Sequence, residues 1–210
     1  RLINNYYFKT TYAIICIFPS YLAAFSRFFF VYSLLFRHIH AQGVIMTTLY
    51  YFDKGEFGQW QDKMSCRLLV MLDVFRHLID SPVSISDHPS SLGRYLGKNS
   101  QSSHNVDVWG EVLAVDCFVD NAKTSRSVQD IVDCAIMLGF TGIGIYPEWV
   151  NNKGELQCGF HLDIRPTRKP GDPAKWGYVG GKFTDIKTAL AALDDRDNIR
   201  INNGWSGKLA

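Results

Sequence analysis

The sequence predicts an α+β fold, a small and mainly antiparallel sheet flanked by helices, and three observations carry that expectation. Apolar residues recur at three- and four-residue spacing over 54–80 and again over 127–138, the period of a helix that buries one face. Short apolar runs rich in Val, Ile and Phe stand at 112–119, 141–146 and 159–165, as buried strands do. The excursion joining the last two, 147–157, reads as hairpin-like, with Asn151-Asn152-Lys153-Gly154 as its turn.

The elements follow in order. Residues 1–45 form a leader unlike the rest, and 11–36 are almost wholly apolar and aromatic, spoiled somewhat by Pro19 and Arg27. That run could span about 30 Å of hydrocarbon as a helix. Three readings stay open: translated sequence upstream of a start at Met46, a membrane anchor, or a signal peptide cleaved near His40-Ala41. In each the fold begins at Met46.

Over 54–80 the stripe is Phe57, Trp60, Met64, Leu68, Met71, Leu72, Phe75, Leu78 and Ile79. Gly58 and the Ser65 region divide it into two helices, with Ser65 as N-cap of the second. Pro82 stops the helix, and Val83-Ser84-Ile85-Ser86 alternates as a short strand would. Residues 87–103 are a long polar loop holding His88, Arg94 and Lys98, and long loops in compact domains are usually functional.

In 127–138 the inward residues are Val128, Ile131, Val132, Ala135, Ile136 and Leu138, and Gly139 is the C-cap. A basic Pro- and Gly-rich loop follows at 165–176, then a last short helix at 184–193 capped by Thr184 and a weakly specified tail. The expected organisation is a leader over 1–45, one domain over 46–180, and a C-terminal helix and tail over 181–210.

The 210 residues are 47% hydrophobic and 20% charged, an ordinary globular balance. Net charge is +2, but residues 1–45 hold four basic side chains and no acid, leaving 18 basic against 20 acidic elsewhere. With no basic block or stripe, nucleic acid is not the expected partner. The five cysteines are odd in number, widely spaced and without a C-x-x-C pair. They read as free thiols, neither a disulfide framework nor a cysteine zinc site.

The chemistry gathers in two places. Ser102-Ser103-His104 lies on the long loop ahead of Leu113-Ala114-Val115-Asp116, and in Gly159-Phe160-His161-Leu162-Asp163 the histidine lies 45 residues beyond Asp116. Asp116 and His161 each stand in an apolar strand, where an unpaired polar group costs several kcal/mol, so a partner must exist. A catalytic zinc takes three nitrogen or oxygen ligands and keeps a fourth position open. His104, Asp116 and His161 supply such a set. The other histidines lack that setting: His38 and His40 lie in the leader, His77 on a helix face and His88 in the loop.

Ser-x-His, then Ala-Val-Asp, Gly-Ile-Gly-Ile-Tyr-Pro and Phe-His-Leu-Asp-Ile-Arg with a later Trp make the chain resemble the zinc D-alanyl-D-alanine carboxypeptidase family. That family includes VanX-type dipeptidases, murein endopeptidases and phage endolysin peptidases. The resemblance covers residues 56–178 and is strongest to the phage-borne branch. It implies a hedgehog/D-Ala-D-Ala peptidase-like fold with a single zinc ion held by His104, Asp116 and His161. Ser102 matches the serine before the first ligand, and Arg94 the arginine that meets the substrate. The implied reaction is hydrolysis of a peptidoglycan stem-peptide bond beside a D-amino acid, by a monomer acting at the bacterial cell wall. Zinc suits the task because it lowers the pKa of its water to about 7 and polarises a carbonyl.

Two features depart from the family pattern. Eleven residues separate His104 from Asp116, more than is usual, with 105–109 as the apparent extra turn. Three residues before His161, where many members carry a catalytic acid, stands Cys158. The general base is therefore sought at Asp163 first, although alternation puts it on the face of His161 where it could instead orient that ligand. Glu148 and Glu155 come next. Two rival readings remain: an inactive phage virion protein that keeps the fold, and a metal-free interaction domain in which His104 and Asp116 only hydrogen-bond.

Overall fold

A computed structural model describes residues 49–120 and 126–202. The readings of the leader, 1–45, lie outside the described residues. Lys54–Lys63 winds as a 3-10 helix broken by Gly58 (φ 50°, ψ −137°), and α1, Cys66–Ile79, follows. The expected division at Gly58 and Ser65 is there, but the first piece is not α-helical. Its ten residues include Gly55 and Gly58, both poor helix formers, and only Phe57 is fully buried. Ser65 occupies the N-cap position without a side-chain capping bond.

Six strands make one sheet: β1 (Val83–Ile85), β2 (Ala114–Val119), β3 (Gly142–Tyr146), β4 (Gly159–Asp163), β5 (Ala174–Val179) and β6 (Lys182–Thr184). Their spatial order is β1-β2-β4-β3-β5-β6. Every pairing is antiparallel except β3 with β5, so the sheet is mixed and mainly antiparallel. Between β1 and β2 lie the long loop and a single helical turn, α2 (Val106–Trp109). α3 (Val128–Leu138) separates β2 from β3, and α4 (Ile186–Asn202) closes the described chain.

Strand alternation sorts the sheet into two faces. Val115, Cys117, Val119, Ile143, Ile145, Phe160 and Leu162 belong to one buried core with Leu68, Leu72 and Phe75 of α1, Ile131, Val132 and Ala135 of α3, and Ala189 and Leu193 of α4. The α3 stripe matches expectation, and its N-terminus carries a reciprocal cap between Ser127 and Asp130. The opposite face bears Asp116, His161 and Asp163 and is enclosed by loops.

The C-terminal part corrects two expectations. The loop after β4 ends at Pro173 rather than Trp176, because Ala174 begins a strand that pairs with β3. Gly180-Gly181, both with positive φ (57° and 77°), turn that strand back into β6, a two-residue glycine hairpin signal between the expected loop and the expected helix. Thr184 ends β6, and the cap of α4 is Asp185, whose Oδ1 accepts from the Lys187 and Thr188 amides at 2.9 and 3.0 Å. The helix also runs on to Asn202. Among the described residues no helix is long and apolar enough to cross a membrane.

Candidate metal centre

Asp116 of β2 and His161 of β4 are direct cross-strand partners, which sets their side chains side by side on the loop-covered face. His104 reaches them from the long loop. Its backbone is tied by the Arg94 amide, which donates to the His104 carbonyl at 2.8 Å. The three side chains are buried, and their ligand atoms lie within 4.8 Å of one another.

The separations are compatible with a shared ion. His161 Nδ1 is 2.8 Å from Asp116 Oδ1, His104 Nε2 is 3.2 Å from His161 Nδ1, and His104 Nε2 is 3.5 Å from Asp116 Oδ1. Ligands 2.0–2.1 Å from a tetrahedral ion sit about 3.3 Å apart. The group can hold a metal ion.

The far side of each imidazole explains why those atoms are available. His104 Nδ1 lies 2.5 Å from the Leu92 carbonyl, which can only accept, so this nitrogen carries the proton. In the neutral ring Nε2 is then bare and aimed at the other two ligands. His161 Nε2 lies 3.2 Å from Asp163 Oδ2 and its Nδ1 2.8 Å from Asp116 Oδ1, so Asp163 keeps the proton on Nε2 and a cation would take the place of the one on Nδ1. Carbonyl and carboxylate partners of this kind fix the tautomer of metal-binding histidines.

Asp163 therefore backs His161. It is fully buried and also accepts from Arg165 Nε (3.0 Å), Arg165 Nη2 (2.8 Å) and Thr141 Oγ1 (3.2 Å). Burial alone would raise its carboxyl, but the His161 hydrogen bond and the Arg165 charge hold it below the usual carboxylate range. Of its two expected roles, base and orienter, the contacts are those of an orienter.

Three acceptor atoms converge here, and protonation of one of them relieves their mutual repulsion. Burial would depress the His161 ring, yet hydrogen bonds to Asp116 and Asp163 overcome it and raise the pKa to about 9. Burial lowers His104, and the neighbouring His161 charge adds to that. Asp116 is driven down by its two histidine bonds in spite of its burial.

The remaining expected residues fall as follows. Arg94 donates Nε to the Ser90 carbonyl at 2.9 Å, and among the described residues no carboxylate pairs with its Nη groups. Its charge is close enough to act on both His104 and Tyr146. Ser102 is a turn residue: its Oγ accepts from the His104 amide at 3.3 Å and its carbonyl from Trp109 Nε1 at 2.8 Å. Glu148 is exposed and accepts from the Gly180 amide at 3.0 Å, and Glu155 accepts from Asn151 in the 147–157 excursion. Neither joins the metal cluster. Cys158 is fully buried and belongs to the apolar core on the helix-covered side.

Ser103, Thr141, Arg165 and Trp176 complete the surroundings without having been singled out. Ser103 Oγ lies 3.4 Å from His161 Nε2 and accepts from Arg165 Nη2 at 3.0 Å. The arginine and tryptophan were in view within the quoted motifs, but nothing in their spacing marked what they touch. The extra turn is α2, and Asn105 at its start is fully buried. It donates to the Gly97 and Ser100 carbonyls and accepts from the Leu96 amide, so it moulds the pocket-side loop. Compared with models of known protein families, with curated proteins and with solved structures, the chain matches none.

Proposed function

We propose that this chain is a zinc-dependent peptidase that hydrolyses stem-peptide bonds of peptidoglycan, of the D-Ala-D-Ala carboxypeptidase or murein endopeptidase type. The carrying observation is the convergence of His104 Nε2, Asp116 Oδ1 and His161 Nδ1, each imidazole backed by an acceptor on its other nitrogen. Zinc, borderline-soft and content with two imidazoles and a carboxylate, suits this donor set and would supply Lewis acidity and a nucleophile at neutral pH.

The chain's own residues supply the rest. The Leu92 carbonyl and Asp163 hold the two rings in the ligating tautomer, and Arg165 and Thr141 hold Asp163. The free fork of Arg94 suits a peptide carboxylate bidentately, or the oxyanion that develops at the scissile carbonyl. Tyr146, its pKa pushed up to about 12 chiefly by burial, stays a neutral hydrogen-bond donor and acceptor. Glu148 and Glu155 are the remaining expected candidates for the proton carrier.

One observation favours a second reading, a metal-holding phage virion protein without turnover. Cys158 stands where many family members carry an acid and is packed into the core, and no carboxylate outside Asp116 and Asp163 reaches the cluster among the described residues. Mass analysis of muropeptides incubated with the protein separates the two. Peptidase action predicts shortened stem peptides, abolished by a chelator and restored by zinc. Intact muropeptides from protein that carries a full equivalent of zinc support the second reading.

A further inference from the structure

One row of residues runs straight across four strands through the metal centre. Asp116 on β2 pairs with His161 on β4, His161 with Gly144 on β3, and Gly144 with Trp176 on β5. Neighbouring strands are about 4.8 Å apart, so the Trp176 backbone stands two strands from that of His161. Their rings nevertheless lie 5.1 Å apart between centroids. The indole gets there by lying across Gly144. A Cβ on that residue would come within 2.6 Å of Trp176 Cε2 and Nε1 and 2.9 Å of Cζ2, closer than carbon atoms approach. The next row repeats the device, for a Cβ on Gly142 would come within 2.3 Å of Asp163 Oδ2.

The indole is itself fixed from two sides. Its Nε1 donates to Tyr146 Oη at 3.2 Å, and the Arg168 guanidinium lies 5.8 Å over its ring. His161 is thus held at Nε2 by Asp163 and along a ring side by Trp176, leaving Nδ1 little freedom to turn from Asp116 and His104. We infer that Trp176 is a positioning residue for the metal ligand His161, and that Gly142 and Gly144 leave their strand bare so that Asp163 and Trp176 can reach that histidine. The inference rests on the metal-centre reading above.

The test titrates Co(II), and Zn(II) in competition, into metal-free protein, reading affinity and the visible d–d spectrum. Gly144→Ala should weaken binding about 10–100-fold, the loss typical of outer-shell disruption, and alter the spectrum. Trp176→Ala should weaken binding similarly. The double variant Gly144→Ala/Trp176→Ala, in which the added methyl has no indole to strike, should bind about as Trp176→Ala does, because the two lesions act through one contact. Far-UV circular dichroism selects folded variants, and should Gly144→Ala not fold, Trp176→Ala and Trp176→Phe carry the comparison. Binding by folded variants that matches wild type within about twofold, with unchanged spectra, overturns the role of Trp176 alone. Wild-type protein that takes up neither metal overturns the metal centre and this inference with it.

Discussion

Phe160 and His161 are neighbours in β4, yet they belong to two differently built sides of the same sheet. Phe160 is fully buried among Val, Ile, Leu and Phe from three helices and the adjacent strands, where any apolar residue of the right volume would serve. His161 is almost as buried, but each of its nitrogens has a polar neighbour at a set distance, and an isosteric apolar replacement would take that partner from both Asp116 and Asp163. The first side is held by area removed from water, which tolerates adjustment. The second depends on directions and protonation states, which do not.

Substitutions on either side sharpen that contrast, the largest effect first. His161→Ala should abolish metal uptake, read as loss of bound zinc after dialysis and of any metal-induced rise in melting temperature. Phe160→Ala should cost about 3–5 kcal/mol of stability by leaving a cavity, measured by urea unfolding, while the folded fraction still binds metal. If Phe160→Ala instead removed metal binding at unchanged stability, the division between the faces would be wrong.

Asp163→Asn should keep the metal but weaken it roughly 10–100-fold, because the amide can present either its oxygen or its NH2 to His161 Nε2. A competition titration against a coloured chelator measures this. The pH dependence of the metal-free protein comes next. His161 is raised from 6.5 to about 9, so its contribution to stability is complete below about 6.5 and lost as pH rises through about 9. Unfolding midpoints of chelator-treated protein should fall across that window, and metal uptake at pH 7 should release about one proton to a dye indicator. The smallest effect lies on the helix side, where Ser127→Ala should cost about 1 kcal/mol by removing the α3 cap, with metal affinity untouched.

Much of the helix-covered side was legible in order. The Ile131, Val132 and Ala135 stripe and the alternation Val83-Ser84-Ile85 reproduce as buried and exposed positions because they follow from period alone. Boundaries that depend on local competition did not. Residues 54–63 carry apolar side chains at helical spacing yet tighten to a 3-10 helix, and Trp176 read as loop because β5 alternates Lys, Trp and Gly with little β-branched character. Asp116 and His161 were legible for a different reason, as polar residues placed where an apolar strand makes isolation costly, whereas His104 on its loop was picked out as the third member of a zinc-type donor set. Ser102 illustrates the limit: a serine near the first ligand was visible, but which hydroxyl turns inward, Ser103 rather than Ser102, depends on the loop's path.

By itself the sequence determined which residue types alternate, where runs of apolar side chains must be buried, and that Asp116 and His161 needed partners. Those are consequences of local period and of the cost of burying polar atoms, and both act at any point along a chain. Only the tertiary structure decided that Asp116, His161, Gly144 and Trp176 fall in one row, that Asp163 backs a ligand, and that Cys158 faces the core. Register between strands far apart in sequence determines these, and register is chosen by the packing of the whole sheet.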